Sequence, residues 1–429
     1  MPVAPLSVPP LARGQRATWT VPGSKSITNR ALVLAALADG TSVLEGVLES
    51  DDTRHMRTCL AALGVAIRDG APHQLIVDGG RTRLHAPTGE LFVGNSGTTV
   101  RFLAGLAALI PGALTFVGDA HMAKRPIQDL VDGLRQLGLR VDCPTGCPPL
   151  TIHGGAVPGG AVRMRGDRSS QYFSALLLSA GFAQRDLAVT IEGTLVSRPY
   201  VEMTRRMVAD FGGRIDASAD GFTVRAVAGY RARTYRIEPD ASSASYPFAW
   251  AAAGGHTVTV PNLTAASLQG DYGFLEVLEQ AGARVAANDQ GTTVSGPAQL
   301  RGVDVDMHHI SDTVMTLAAI APLCAGPTTI RNIANIRLKE TDRLAATVAE
   351  LRRLGQEVEH GEDWLRVHPR PLRPALIECY ADHRMAMSFA VLGTLVPGVA
   401  IADPACTAKT YPGFWDDLGA LYGAEAKPW

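Results

Sequence analysis

Along this chain, short polar segments rich in Ser, Asp and Asn alternate with runs of Ala, Leu and Gly, and the alternation returns about every 70 residues. Six such openings are visible: Ser24-Lys25-Ser26, Asn95-Ser96-Gly97, Ser169-Ser170-Gln171, Ser242-Ser243, Ser311-Asp312 and Asp382-His383. Each reads as the cap of a helix whose body carries almost no charge on any face, which predicts a helix buried all round. A second series has the same period. Leu-rich amphipathic segments end at Gly64, Gly138, Gly212, Gly282 and Gly355, where glycine supplies the left-handed residue that closes a helix.

Short β-type runs, such as residues 114–117, 189–191 and 257–260, fall between the two helices of a unit, and others follow the second. The unit is therefore β-α-β-α-β-β. Right-handed crossovers would put both helices on one side of the unit's sheet. With the charge-free helix inside, the core is turned inward. The length, 429 residues, exceeds what one core serves, so three units per domain are expected. The expected boundaries lie near Thr20 and Tyr235. Residues 21–235 would hold repeats 1–3, and residues 1–20 plus 236–429 would hold repeats 4–6. The stretch from Tyr230 to Pro239 is the expected hinge, with a first strand from Ala17 to Val21 as the other crossing.

A formal net charge of −1 leaves no positive surplus for nucleic acid or an anionic membrane surface. No run is long and apolar enough to span a bilayer, and the first residues lack a signal-peptide layout, so a cytoplasmic protein is expected. Six scattered cysteines do not form a disulfide framework, and they read as reduced thiols. The close pair Cys143 and Cys147 has no companion at zinc-site spacing, so a turn is expected there and no metal.

Aligned N-termini of buried helices favour negative charge, yet cations gather at them. Lys25, Arg30, Arg101 and Arg384 lie in the early turns of the buried helices. Arg125, Lys339, Arg343 and Lys409 lie near the starts of the amphipathic ones. Singly, each reads as readily as a surface cation or a structural ion pair as it does as a ligand-binding group. Together, at one end of their units, they predict bound anions, and roughly seven charges suffice for two. Ser169, Ser170 and Ser197 could add hydroxyls to phosphate oxygens or serve as caps. The Pro22-Gly23-Ser24-Lys25-Ser26 run lacks the glycine spacing of a P-loop, and neither a dinucleotide fingerprint nor a zinc-protease motif occurs. Asp312 and Glu340 are the carboxylates among these cations. A base of that kind, and a lysine hemmed in by cations as an acid, are the candidate proton-transfer groups.

The motifs carry a resemblance over nearly the whole chain. Pro22-Gly23-Ser24-Lys25-Ser26 with Asn29-Arg30, Gly94-Asn95-Ser96-Gly97-Thr98 with Arg101, Arg125-Pro126, and Ser169-Ser170-Gln171 occur in the first half. Leu338-Lys339-Glu340-Thr341-Asp342-Arg343, Asp382-His383-Arg384-Met385-Ala386-Met387, and Asp403-Pro404 with Cys406 and Lys409 occur in the second. In this order they resemble the 5-enolpyruvylshikimate-3-phosphate synthase family of enolpyruvyl transferases.

That resemblance implies an α/β fold: a two-domain inverse α/β barrel of six βαβαββ repeats, three per domain, with buried parallel helices. It implies two small-molecule substrates, shikimate 3-phosphate and phosphoenolpyruvate, and no metal or organic cofactor. Shikimate 3-phosphate would fall to Lys25, Ser26, Arg30, Ser169, Ser170, Gln171, Ser197, Tyr200, Asp312, Asn335 and Lys339. Phosphoenolpyruvate would fall to Lys25, Asn95, Gly97, Arg125, Gln171, Arg343, Arg384 and Lys409. Asp312 would take the substrate hydroxyl proton, and Glu340, assisted by Lys25 or Lys409, would handle the methylene proton. A monomer in the shikimate pathway of aromatic amino acid biosynthesis, and a target of glyphosate, is the family expectation. Phe102 departs from the proline many members carry after the arginine. The sister transferase acting on UDP-N-acetylglucosamine shares the design, but it has Asn where Ser26 stands and a reactive Cys where this chain reads His121-Met122-Ala123-Lys124. A non-catalytic or RNA-end-processing relative is disfavoured by the near-neutral charge and the full cation set.

Overall fold

The computed structural model describes residues 4–423, which divide into two compact units: residues 23–237, and residues 4–22 with 238–423. The helices of the 23–237 unit are α1 (Lys25–Leu37), α2 (Asp51–Ala62), α3 (Gly97–Ala107), α4 (Gln128–Gln136), α5 (Ser170–Ser179) and α6 (Arg198–Asp210). Those of the other unit are α7 (Ala241–Gly254), α8 (Phe274–Gln280), α9 (Val314–Ile320), α10 (Arg343–Arg353), α11 (His383–Gly393) and α12 (Phe414–Ala420).

The odd-numbered helices are buried on every side, and within each unit they touch one another: α1, α3 and α5 in one, α7, α9 and α11 in the other. Such a helix cannot present a polar face, which is why its sequence is Ala, Leu, Gly and short hydroxyl residues. Its exposed donors are satisfied at the start instead. Ser24, Ser96, Ser169 and Asp382 each accept a backbone N–H with the side chain. The fourth cap is Asp240, bonded to Ser243 N at 2.7 Å, and not the expected Ser242, whose hydroxyl goes to Asp271. The fifth opening, Ser311–Thr313, is a 3-10 turn that runs into α9. The even helices are half-buried, and Gly64, Gly138, Gly212, Gly282 and Gly355 beyond five of them have positive φ.

Five of six sheets share one order. A first strand runs parallel to a second, which is antiparallel to the fourth, with the third at the edge; Gly160–Arg165, Leu187–Glu192, Gly221–Arg225 and Arg214–Ala217 are the clearest case. The missing strands come from elsewhere in the chain. Tyr230–Arg231 and Thr234–Arg236 run parallel to Ala38–Glu45 and complete the first sheet. Arg16–Thr18 pairs with Thr257–Pro261, and Leu6–Val8 with Val399–Ile401.

The chain divides after Pro22 and after Ile237, two residues beyond each of the expected positions. Tyr235 lies opposite Leu44 in a ladder, and Pro22 O accepts from Asp240 N at 2.8 Å. Half of the expected Tyr230–Pro239 hinge is strand, and the strand expected over Ala17–Val21 is Arg16–Thr18.

His256 fixes the N-terminal segment to its unit. Its ring stacks on Trp250, centroids 4.1 Å apart, and its Nδ1 accepts from Gln15 N at 3.1 Å. Burial, with Arg13 nearby, pushes the imidazole down to about 4. The unfolded chain therefore binds the extra proton first. Stability should be full above the ordinary value of 6.5 and fall as pH drops through that value toward about 4. A His256→Gln variant, compared by denaturant titration across that window, should show a flatter slope than the parent chain.

Packing between α3 and α5 gives a second test. A Cβ at Gly105 would lie 2.1 Å from Ala175 O, a backbone atom that cannot move alone. Gly105→Ala gains roughly 1 kcal/mol of helix propensity but should still lower stability by about 2 kcal/mol, read from the denaturation midpoint.

Candidate active site

The expected site residues form one group in each unit. In the 23–237 unit, Lys25 opens α1, and its Nζ lies 3.7 Å from Asp52 Oδ2 in the first turn of α2. Arg30, one turn further along α1, is fully buried. Its guanidinium donates to Thr204 Oγ1 (2.7 Å), Ser26 O (2.9 Å), Ser174 Oγ (3.1 Å) and Tyr200 O (3.0 Å). All four acceptors are uncharged. Burial consequently lowers Arg30 to about 10, and its charge lies over the Phe102 ring at 4.9 Å. The departure at Phe102 thus has a local role: the ring, itself buried, supports the Arg30 cation.

Arg101 of α3 reaches α5, donating to Gln171 Oε1 at 2.6 Å, and Gln171 Nε2 donates back to Thr98 Oγ1 at 3.3 Å. Arg125 donates to both Asn95 O (3.1 Å) and Asn95 Oδ1 (3.2 Å). Gly97, first residue of α3, is where the Arg125 head passes: a Cβ there would meet Arg125 Cζ at 2.7 Å. Ser169 caps α5 with its hydroxyl, so its capping role is realised, and Ser170 is buried in the first turn. Ser197 precedes α6 in the left-handed region, φ 49, a strained backbone for a residue with a Cβ. Tyr200 follows in the first turn, with its carbonyl on Arg30.

In the other unit, the candidates are tied together by their charges. Asp312 accepts from Arg343 at 3.1 Å and Arg384 at 2.9 Å, with Lys339 at 3.4 Å. Glu340 lies between Lys409 (2.6 Å) and Arg343 (2.8 Å). Asp382, with no solvent exposure, holds Arg343 through Nε at 2.7 Å and a second nitrogen at 3.3 Å, and also caps α11 through Arg384 N. Burial alone would lower Arg343; Asp382, Glu340 and Asp312 reverse the balance and hold it above the ordinary arginine value. Asn335 joins the group through Ser311, Nδ2 to Oγ at 3.0 Å.

Missing from the sequence expectation were Asp52, Thr204 and Ser174 as partners, Asp382 as a charge partner rather than a cap, and Phe102 as a support. The signal for Asp382 was present, since an acidic residue next to His383 and Arg384 heads a helix with no other polarity. Asp52 and Phe102 had no such signal, because their partners are 27 and 72 residues away. Among the described residues, no group of three His, Cys, Asp or Glu side chains could hold a metal, and no helix is long and apolar enough to cross a membrane. The Cys143 to Cys147 segment is a turn, with Cys143 Sγ 3.5 Å from Cys147 O.

Removing Asp382 strips a fully buried guanidinium of its two-point partner and α11 of its cap. Asp382→Ala should cost roughly 3–5 kcal/mol in urea unfolding. Asp382→Asn, which can still cap, should fall between the two.

The family model described as EPSP synthase (3-phosphoshikimate 1-carboxyvinyltransferase) matches residues 13–418. A 3-phosphoshikimate 1-carboxyvinyltransferase of Trichormus variabilis is 47% identical over 97% of this chain and 99% of its own length. One of Klebsiella pneumoniae is 44% identical over 97% and 98%. The solved EPSP synthase of Acinetobacter baumannii superposes with a TM-score of 0.82 at 25% identity, covering 98% of both chains. The likeness thus extends along the whole of both units, and the chain belongs to the EPSP synthase family.

Proposed function

We propose that this protein transfers the carboxyvinyl group of phosphoenolpyruvate to the 5-hydroxyl of shikimate 3-phosphate and releases phosphate, a step of aromatic amino acid biosynthesis. The observation that carries the reading is the charge cluster around Arg343. It joins two candidate proton-transfer carboxylates, Asp312 and Glu340, to four cations in one bonded network. Each unit is read as an inverse barrel, its three odd helices inside and its sheets outside, which the burial and mutual contact of those helices support.

Shikimate 3-phosphate is assigned to Lys25, Ser26, Arg30, Ser169, Ser170, Gln171, Ser197, Tyr200, Asp312, Asn335 and Lys339. Phosphoenolpyruvate is assigned to Lys25, Asn95, Gly97, Arg125, Gln171, Arg343, Arg384 and Lys409. Before substrate arrives, carboxylates hold Lys25, Lys339, Arg343, Arg384 and Lys409 in place, and neutral oxygens hold Arg30 and Arg125. A phosphate or carboxylate that engages Arg343 and Arg384 draws them from Asp312, which is then free to take a proton.

In the first step, the 5-hydroxyl oxygen bonds to C2 of phosphoenolpyruvate, its proton passes to Asp312, and the methylene carbon gains a proton. The tetrahedral intermediate then loses a methyl proton and its C–O bond to phosphate. Glu340 handles the carbon proton, and its 2.6 Å contact supports Lys409 as the assisting group. The cations stabilise the charge on the departing phosphate. Glyphosate, with phosphonate and carboxylate groups, competes for the phosphoenolpyruvate residues, where the missing side chain of Gly97 lets the Arg125 head take its position.

The test is phosphate release from shikimate 3-phosphate and phosphoenolpyruvate. Turnover is expected with that pair and not with UDP-N-acetylglucosamine as acceptor; the reverse result would transfer the assignment to the sister enzyme. Asp312→Ala should lower kcat by at least a hundredfold, within the 10²–10⁴ range for losing a general base, while its circular dichroism stays unchanged. Parent-level turnover in that variant removes Asp312 as the base.

A further inference from the structure

Two cysteines lie beside the cluster and take no part in it. The strand Ala375–Ile377 runs parallel to Val399–Ile401 with Ile377 opposite Ile401, and the ladder continues through Ala402 N to Ile377 O at 3.0 Å. Cys379 is thereby carried to the opening of the Pro404–Lys409 turn. Its sulfur meets the Asp403 backbone N–H and the Cys406 thiol, and Cys406 Sγ lies 3.1 Å from Asp403 O. Cys379 is buried; Cys406 is partly exposed.

We infer that Cys379 and Cys406 form a thiol–disulfide modification site whose oxidation by a low-molecular-weight disulfide displaces Lys409. The accessible Cys406 thiol exchanges with the oxidant, forming a mixed disulfide and releasing one small thiol. The Cys379 thiol gives up its proton and attacks the Cys406 sulfur, and the second small thiolate leaves and takes that proton. Two protein thiols are oxidised and one small disulfide is reduced to two thiols. The polarity fits the closing step: the contact from Cys406, acting against burial, holds the attacking Cys379 thiol below its usual range, while the same contact and burial hold Cys406 above it, which makes the first exchange the slow step.

Both sulfurs sit on segments that position site residues. Cys406 shares its turn with Lys409, whose Nζ holds Glu340 at 2.6 Å. Cys379 is followed by two left-handed residues, Tyr380 (φ 55) and Ala381 (φ 53), and its carbonyl accepts from Asp382 N at 2.8 Å. Closing the sulfurs to the bonded distance of about 2 Å shifts the Lys409 turn against Glu340, and a misplacement of about 1 Å can cost on the order of a hundredfold in rate.

The test incubates the folded protein with oxidised glutathione, alkylates remaining thiols, and maps peptides by mass spectrometry without reduction. A Cys379–Cys406 peptide is expected, with phosphate release falling at least tenfold and returning on dithiothreitol. Cys379→Ser should keep the activity of the reduced parent and stop at a Cys406–glutathione adduct; Cys379→Ala serves if the serine variant does not fold. Finding Cys379 unlinked, or a linked protein with unchanged turnover, overturns the inference. The rate readout rests on the proposed function, whereas the peptide map does not. Failure of the reduced protein to release phosphate therefore counts against that function, and absence of the linked peptide against this site.

Discussion

A helix with no solvent-facing side can place charge only where its end opens, and most of this protein follows from that constraint. Six helices are buried on all sides, so their bodies are apolar and their polar groups collect at the first turn. Caps satisfy the leading N–H groups, and cations gather where the helix dipole would favour anions. Arg30 is a long cation carried more than a full turn inside, with no exposure to speak of. It survives burial through four hydrogen bonds to neutral oxygens and an aromatic ring beneath it. An uncompensated guanidinium in that position is a standing electrostatic demand for an anion.

The two units meet this constraint differently. Around Arg30 the partners are hydroxyls and carbonyls, so no carboxylate cancels its charge. Around Arg343 the partners are carboxylates, and the network is locked by pairs at 2.6–3.4 Å. In the proposed reaction, a group of the first kind would attract anions and one of the second kind would supply bases. Asp382 belongs to both roles, since one buried side chain holds Arg343 and orients the start of the helix that carries Arg384.

The packing that buries these helices also limits what the site residues can become. Gly97 gives way to the Arg125 head, and Gly105 to the backbone of α5, so two glycines of one helix answer to different neighbours. The first controls a cation's position and the second the distance between helices. Ser197 shows the reverse case: a residue with a Cβ is kept in a left-handed backbone, at a place where the proposed site uses its hydroxyl.

Periodicity alone determined the repeat, the buried and amphipathic helix types, and the glycines that close them. A helix surrounded by protein and a helix on a surface must differ in composition at every turn, and that difference is written locally. The cations and the carboxylates Asp312 and Glu340 were also legible, as charged residues where a buried helix begins. What only the tertiary structure decided was which charges pair. Lys25 with Asp52, Arg343 with Asp382 and Arg30 with Phe102 and Thr204 are each brought together by packing between different helices. The domain edges, each two residues beyond the expected position, rest on such pairing too. Tyr235 pairs with a strand near residue 44 and Pro22 with Asp240, and hydrogen bonds to distant chain leave no local trace in composition.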